Sequence, residues 1–305
     1  MANILVLGGA GFVGSHLVDT LLGQDNRVHV IDDLSVGKKK HLPKHKGLNF
    51  IKASILDDIS HHFKHIDIVF HLAAITRPQE SILDPLSTNK VNIEGTLRVL
   101  KAAHENKVKR VVFASTTSIY GSQKVLPIPE TATPYPMSPY ALSKWAGEGY
   151  CKLFETMYDL EFNAIRPFNI YGNRQSIKGG YSAAVPTFIN LLKKNKSPWI
   201  TGDGTQARDF IYVDDVVSLL ILMSTSKIHG EAFNAGSGKN TTINEIYSSI
   251  SRIMRKKIKP LYIDAVFEPK ETLGDIRKAK KLLGWEPKVE LKEGLERTVN
   301  GILSQ

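Results

Sequence analysis

The stretch NILVLGGAGFVGSHL, Asn3 to Leu17, decides how the rest of the chain reads. A short apolar run, long enough for one buried strand, goes straight into Gly8, Gly9, Gly11 and Gly14, and FVGSHLVDTLLG then has a helical pattern. The glycines satisfy G-x-x-G-x-x-G at 8, 11 and 14 and G-x-G-x-x-G at 9, 11 and 14. Glycine at such positions lets the chain turn tightly and lets its amides approach a pyrophosphate, while the helix N-terminus adds partial positive charge. A glycine motif alone could serve a plain strand–helix turn. Here a second apolar run, RVHVIDD, ends in Asp32-Asp33 about twenty residues on, which is the layout of a dinucleotide-binding unit. Gly8, Gly11, Phe12, Val13 and Gly14 are the expected cofactor contacts at the phosphates, and Asp32 and Asp33 those at the ribose. A carboxylate there can accept from both ribose hydroxyls and would repel a 2′-phosphate, so the expected cofactor is NAD rather than NADP. Lys38 to Lys40, in a loop, read as solvated. Asp57, in ASILD, reads equally well as an adenine contact or as a cap.

Working outward, DIVFHLAA, RVVFAS and FNAIRPF read as further buried strands. STNKVNIEGTLRVLKAAHENK and PYALSKWAGEGYCKLFETMYD read as helices between them. Such alternation predicts an α/β fold, a parallel sheet with helices on both faces. From about residue 168 the order loosens into glycine- and proline-rich loops such as YGNRQSIKGGYS and KNKSPWITGDGTQ, where a substrate site is expected. LGDIRKAKKLLGWEPKVELKEGLERTV reads as two short helices split by Gly284 and Pro287.

The 305 residues are 42% hydrophobic and 23% charged, ample for a core. A single cysteine, Cys151, rules out an intrachain disulfide framework and fits a reducing compartment, as a quiet buried thiol. No secretory signal is read at the N-terminus, and VVSLLILM is too short for a membrane span. A cytoplasmic protein with no membrane partner is expected. The net charge of +10 is spread along the chain, with small clusters at Lys38–Lys40 and Arg255–Lys257. Without a nucleic-acid motif, this reads as solvated lysines that attract an anionic small molecule. No metal site is expected.

In SPYALSK, Ser138 suits a helix N-cap and Pro139 the first helical position, so Tyr140 and Lys144 share one face. A free tyrosine titrates near pH 10. A nearby ammonium and an oxidised nicotinamide would both favour the phenolate, which could then take a proton from a substrate hydroxyl. Lys144 can also bond the nicotinamide ribose. At the end of RVVFAS, the cluster ASTTSIYG puts Thr116 where its hydroxyl could serve the same substrate oxygen. Alone, Ser115, Thr116 and Thr117 would read as satisfying backbone groups.

GGAGFVGSHL, IDDLSVG, HLAA, NIEGTLRVL, ASTTSIYG, PYALSKWAGE, RPFNIYG, GDGTQARDFIYVDDV, FNAGSG and KAKKLLGWEP together resemble the extended short-chain dehydrogenase/reductases of the NAD-dependent epimerase/dehydratase family. The resemblance covers essentially the whole chain. It implies a Rossmann-type doubly wound sheet with a smaller α/β substrate lobe. The implied division is 1–167 plus 210–236 for NAD and 168–209 plus 237–305 for a nucleotide sugar. It implies Thr116, Tyr140 and Lys144 as the catalytic trio, with Asn92 and the backbone at Ala73 beside the cofactor. It also implies Asn169 and Arg208 as anchors of the substrate diphosphate, and a homodimer paired through STNKVNIEGTLRVL and PYALSKWAGEGY.

The branch follows from what succeeds Thr116. Members resembling dehydratases carry Asp-Glu where this chain has Thr117-Ser118, and decarboxylases carry glutamate at the place of Ser118. A hydroxyl cannot replace a carboxylic acid in those tasks. The implied activity is therefore epimerisation at C4 of a UDP-hexose, UDP-glucose/UDP-galactose, through a 4-keto sugar. N-acetylated or uronate sugars stay open, and a non-catalytic NAD-binding protein is the competing class. Three departures bear on the substrate. The aromatic residue usual before GDG is Thr201, with Trp199 two residues earlier. Ala265 stands at the place of a second phosphate-binding arginine, for which Lys270 is the expected substitute. Thr272 falls where side-chain size is thought to admit or exclude an N-acetyl group.

Overall fold

The computed structural model describes residues 1–176, 184–265 and 269–304. Parts of the YGNRQSIKGGYS and DAVFEPKETLGD stretches, residues 177–182 and 266–268, lie outside the described residues. Six parallel strands come first: β1 (Asn3–Leu7), β2 (Arg27–Ile31), β3 (Leu48–Ile51), β4 (Ile68–His71), β5 (Arg110–Ala114) and β6 (Glu161–Pro167). β7 (Asn169–Tyr171), β8 (Trp199–Thr201) and β9 (Ala207–Tyr212) leave this sheet before β10 (Glu231–Ala235) returns to it beside β6. The seven strands lie in the order β10-β6-β5-β4-β1-β2-β3, a Rossmann-type doubly wound sheet. The order reverses between β1 and β4, so the loops after them part and leave a crevice at the strand ends.

Alternation along the strands builds a core on each face. In β1, Ile4 and Val6 join one apolar cluster, and Leu5 and Leu7 join the other. α1 (Phe12–Gly23) covers the first face. On the second, α2 (Pro78–Leu83) and α3 (Pro85–Asn89) lead into a π-helical segment, residues 90–94, and then α4 (Gly95–Glu105). This widened turn interrupts the helix expected over the stretch and carries Asn92 into the interior.

α5 (Pro139–Tyr158) starts as its sequence dictates: Ser138 Oγ accepts from Ala141 N at 3.1 Å, and Pro139 opens the first turn. Gly147 lets this helix lie close on β5, since a Cβ there would sit 2.5 Å from Phe113 Cζ. Cys151 is fully buried in that interface, and burial pushes its thiol far up, so it is inert.

The smaller lobe contains α6 (Ala184–Lys193). Its four-stranded sheet is centred on β9, which pairs with β7 in parallel. α7 (Val213–Thr225) follows β9 and packs back on α1. The limit expected at 209/210 thus falls inside β9, a strand of the smaller sheet. β11 (Asn240–Thr242) pairs antiparallel with β9 and leads into α8 (Ile243–Ile253). β12 (Leu261–Ile263) pairs with β8, and β13 (Glu271–Thr272) with β9. α9 (Arg277–Leu283) and α10 (Leu291–Leu303) flank Gly284 and Pro287. Among the described residues no helix is long and apolar enough to cross a membrane.

The separate segments of the smaller lobe are joined through Asp209, which is fully buried. Its carboxylate accepts from Ser237 N and Oγ at 2.6 and 2.7 Å, and from Gly238 N and Gly274 N at 3.2 Å each. Asp209→Ala would strand the three amides of Ser237, Gly238 and Gly274. The expected loss is about 3 kcal/mol of unfolding free energy or more, read from the urea midpoint. A change below about 1 kcal/mol would place the joint elsewhere.

Candidate active site

The crevice after β1 is shaped by glycine. Gly8 has φ +81°, and a Cβ on it would lie 2.8 Å from Ala73 N. A Cβ on Gly14 would lie 2.2 Å from the carbonyl oxygen of Gly8, so α1 can seat against the turn only without one. No side chain caps α1, and no acidic residue stands in its first turn. The leading amides are therefore available to an anion. Asp32 is buried, and its carboxylate accepts from Ala10 N at 2.9 Å and Leu34 N at 2.8 Å. Burial raises its pKa, opposed by those two bonds. A cavity of roughly 570 Å³ is lined by Gly8, Gly11, Phe12, Val13, Gly14, Asp32, Asp33 and Ala73, then runs to Thr116, Tyr140 and Lys144. These groups fit NAD: amides for the pyrophosphate, a carboxylate for the ribose, and an ammonium at the far end.

Two expected positions fall elsewhere. Asp57 is exposed, and its carboxylate accepts from Ser54 N at 2.8 Å; Ser54, not Asp57, lines the cavity. Asn92 is buried and spent on Ile75 and Ser143. Its Oδ1 accepts from Ile75 N at 2.8 Å, and its Nδ2 donates to Ile75 O at 2.9 Å and Ser143 Oγ at 3.0 Å. It fixes the wall of the cavity rather than facing it. Lys38 to Lys40 are exposed.

Lys144 is almost fully buried and lines the cofactor cavity. Its Nζ donates to Ala114 O at 2.7 Å and lies 4.9 Å from the centre of the Phe113 ring. Two of its three donors remain for a ribose. Burial brings its pKa down to about 8. Tyr140 is likewise buried, with Ser81 Oγ accepting from its amide at 3.1 Å. Burial raises the phenol's pKa, and a hydrogen bond with Thr116 opposes this. The lowering expected from Lys144 does not arise within the protein, because the ammonium is turned to the Ala114 carbonyl. Beneath them His71 is pushed down to about 3 by burial and by Lys144, so it stays neutral.

A second cavity of roughly 750 Å³ opens on the other side of Tyr140 and Thr116. Asn169 and Arg208 line it, with Thr272. Asn169 Nδ2 donates to Asp209 O at 3.1 Å, and Arg208 Nη1 donates to the carbonyls of Ala207 and Lys270 at 2.8 and 3.2 Å. Lys270 itself is exposed and is not part of the wall; its carbonyl steadies Arg208. Ala265 is exposed beside Gly202. Trp199 and Thr201 both line the cavity, with Ile200 between them on β8. Phe168, Gln175 and Phe188 complete walls that the sequence did not disclose.

A Rossmann crevice that meets a second cavity at a tyrosine, a threonine and a lysine is the layout of a nicotinamide-dependent enzyme acting on a small-molecule alcohol. The model of the NAD-dependent epimerase/dehydratase family matches residues 4–236, and the chain belongs to that family. It is 36% identical to the UDP-glucose 4-epimerase of Mycolicibacterium smegmatis over 310 residues, 97% of this chain and 96% of that one. The UDP-N-acetylglucosamine 4-epimerase of Methanobrevibacter ruminantium, solved with UDP-N-acetylmuramic acid, superposes with a TM-score of 0.97 at 38% identity, covering 100% of this chain and 99% of the other. The UDP-glucose 4-epimerase of Thermotoga maritima, solved with UDP-glucose, gives 0.94 at 38%, with 99% of each chain covered.

The buried ammonium carries a stability cost. Its folded pKa of about 8 lies below the ordinary 10.5, so the unfolded chain binds the proton more tightly. Stability should therefore rise as pH climbs from about 8 towards 10.5. At neutral pH the charge costs about 3 kcal/mol. Lys144→Met should raise the thermal midpoint at pH 7, by up to that amount in free energy, while removing most activity. A lowered midpoint would overturn the assignment of strain to this charge.

Proposed function

We propose that the protein is an NAD-dependent 4-epimerase of UDP-hexoses, with UDP-glucose/UDP-galactose as the first pair to test. The observation that carries this reading is the wall of the substrate cavity. Around Thr116 and Tyr140 it holds hydroxyls, amides and apolar groups, with Arg208, and among the described residues no carboxylate and no imidazole. Elimination of water or carbon dioxide needs an acid at the carbon next to C4. Reversible oxidation at one carbon does not.

Bound NAD supplies a hydride acceptor and a positive ring that favours a neighbouring phenolate. Tyr140, ionised, takes the 4′-hydroxyl proton with the help of Thr116, and C4 gives up its hydride. The 4-keto sugar turns about its bond to the diphosphate and receives hydride on its other face, and Tyr140 returns the proton. Arg208 and Asn169 would hold the diphosphate, and Trp199 with Thr201 would flank the base. Binding energy then sits away from the ring that must turn. The small Thr272 in the wall favours N-acetylated hexoses as a second substrate class. On this reading 1–167 with 210–236 serves NAD and 168–209 with 237–305 the nucleotide sugar. The quiet, single Cys151 fits the cytoplasm.

Pairing of two chains is part of the proposal. Leu142, Trp145, Leu153 and Met157 are exposed along α5, and Leu83 and Leu86 stand exposed on α2 and α3. Their spacing on α5 makes one apolar stripe. Trp145→Glu should convert a dimer into a monomer by solution mass; an unchanged mass would exclude this face.

The deciding experiment is a panel of UDP-linked hexoses with products separated by configuration at C4. C4 epimers are expected, and products lacking water or carbon dioxide would sink the proposal. Tyr140→Phe, loaded with NAD, should lose about 10²- to 10⁴-fold in kcat.

A further inference from the structure

Thr116 caps the short turn Thr117–Tyr120. Its hydroxyl has one proton and two lone pairs. Ser118 N donates to Thr116 Oγ1 at 3.2 Å, and Oγ1 donates its own proton to Ser118 Oγ, also at 3.2 Å. Tyr140 and Thr116 line the same two cavities side by side, and a hydrogen bond from Thr116 favours the phenolate; to a protonated phenol Thr116 has only its remaining lone pair to offer. Thr116 is thus saturated while the phenol is protonated and donating. A phenolate needs the very proton that Ser118 holds, because a charged oxygen must be donated to.

We propose that Ser118 is a positioning residue whose hydroxyl oxygen captures the Thr116 proton and so biases Tyr140 toward its protonated form. In the neutral state the chain of donors runs phenol to Thr116 to Ser118. When Tyr140 loses its proton, the Thr116 hydroxyl swings from Ser118 to the phenolate. Ser118 lines the substrate cavity, so its own proton is left for a sugar oxygen. This inference rests on the epimerase reading of the site only in treating Tyr140 as the proton carrier.

Among the described residues, the other charged and titratable groups that face Tyr140 do not bond Ser118. Lys144, one turn on along α5, bonds Ala114 O and titrates near 8. His71, from β4, stays neutral. Arg77 and Glu80 at α2 pair with each other, and Arg208 enters the cavity wall from β9.

The test uses the NAD-loaded protein and two readouts. One is the pH profile of kcat/KM. The other is the ultraviolet absorbance of the phenolate, with Tyr140→Phe as blank. Ser118→Ala and Ser118→Cys, whose thiol accepts poorly, should both lower the apparent pKa of Tyr140 by about half to one unit. Ser118→Thr should match the parent. Combined with Thr116→Val, Ser118→Ala should shift nothing. An unchanged or raised pKa in the two truncations, or the same fall without the Thr116 hydroxyl, would overturn the inference. If no sugar nucleotide is turned over, the functional reading fails, while the absorbance titration still decides the role of Ser118.

Discussion

The site depends on one bond, from the Lys144 ammonium to the carbonyl of Ala114 at the end of β5. It ties the helix that carries Tyr140 to the strand that delivers Thr116, across the gap where cofactor and sugar would meet. Phe113 packs against it from below, between the ammonium and His71, and Gly147 lets α5 come close enough for the bond to form. A charge without a carboxylate partner in such a place is a poor choice for stability. Its retention makes sense as a fixed donor held where a cofactor ribose would lie.

What the sequence disclosed follows the demands of the backbone. Gly8 and Gly14 were legible because no other residue fits the turn beneath α1. Tyr140 and Lys144 were legible because Ser138 and Pro139 set the helix phase. Spacing along the chain does not give direction in space, and there the reading thinned. Asp57 turns to Ser54, Lys270 points out of the cleft, and Asn92 spends its amide on Ile75. The sign of the phenol's shift was hidden too, since burial acts from every side and leaves no trace in a motif. β3 and β10 escaped notice because each is short, at a sheet edge and only partly apolar.

The smaller lobe is interleaved with the larger. β9 belongs to one sheet, and α7, beginning at the next residue, packs on the other body. Buried carboxylates act here through neutral backbone donors: Asp209 gathers Ser237, Gly238 and Gly274 within the smaller lobe, and Asp215 reaches across the seam to Lys288 N and Val289 N at 2.9 and 3.0 Å. These ties keep Arg208 and Thr272, neighbours in register across β9 and β13, at a fixed distance from the strand ends of the main sheet.

The wall of the cofactor crevice between Ala73 and Ser81 is fastened to α5 at two points. Asn92 bridges Ile75 to Ser143, and Ser81 takes the amide proton of Tyr140. Wall and helix therefore move as one body. A crevice opened on that side would draw the phenol along with its wall, so access to one cavity is mechanically tied to the shape of the other.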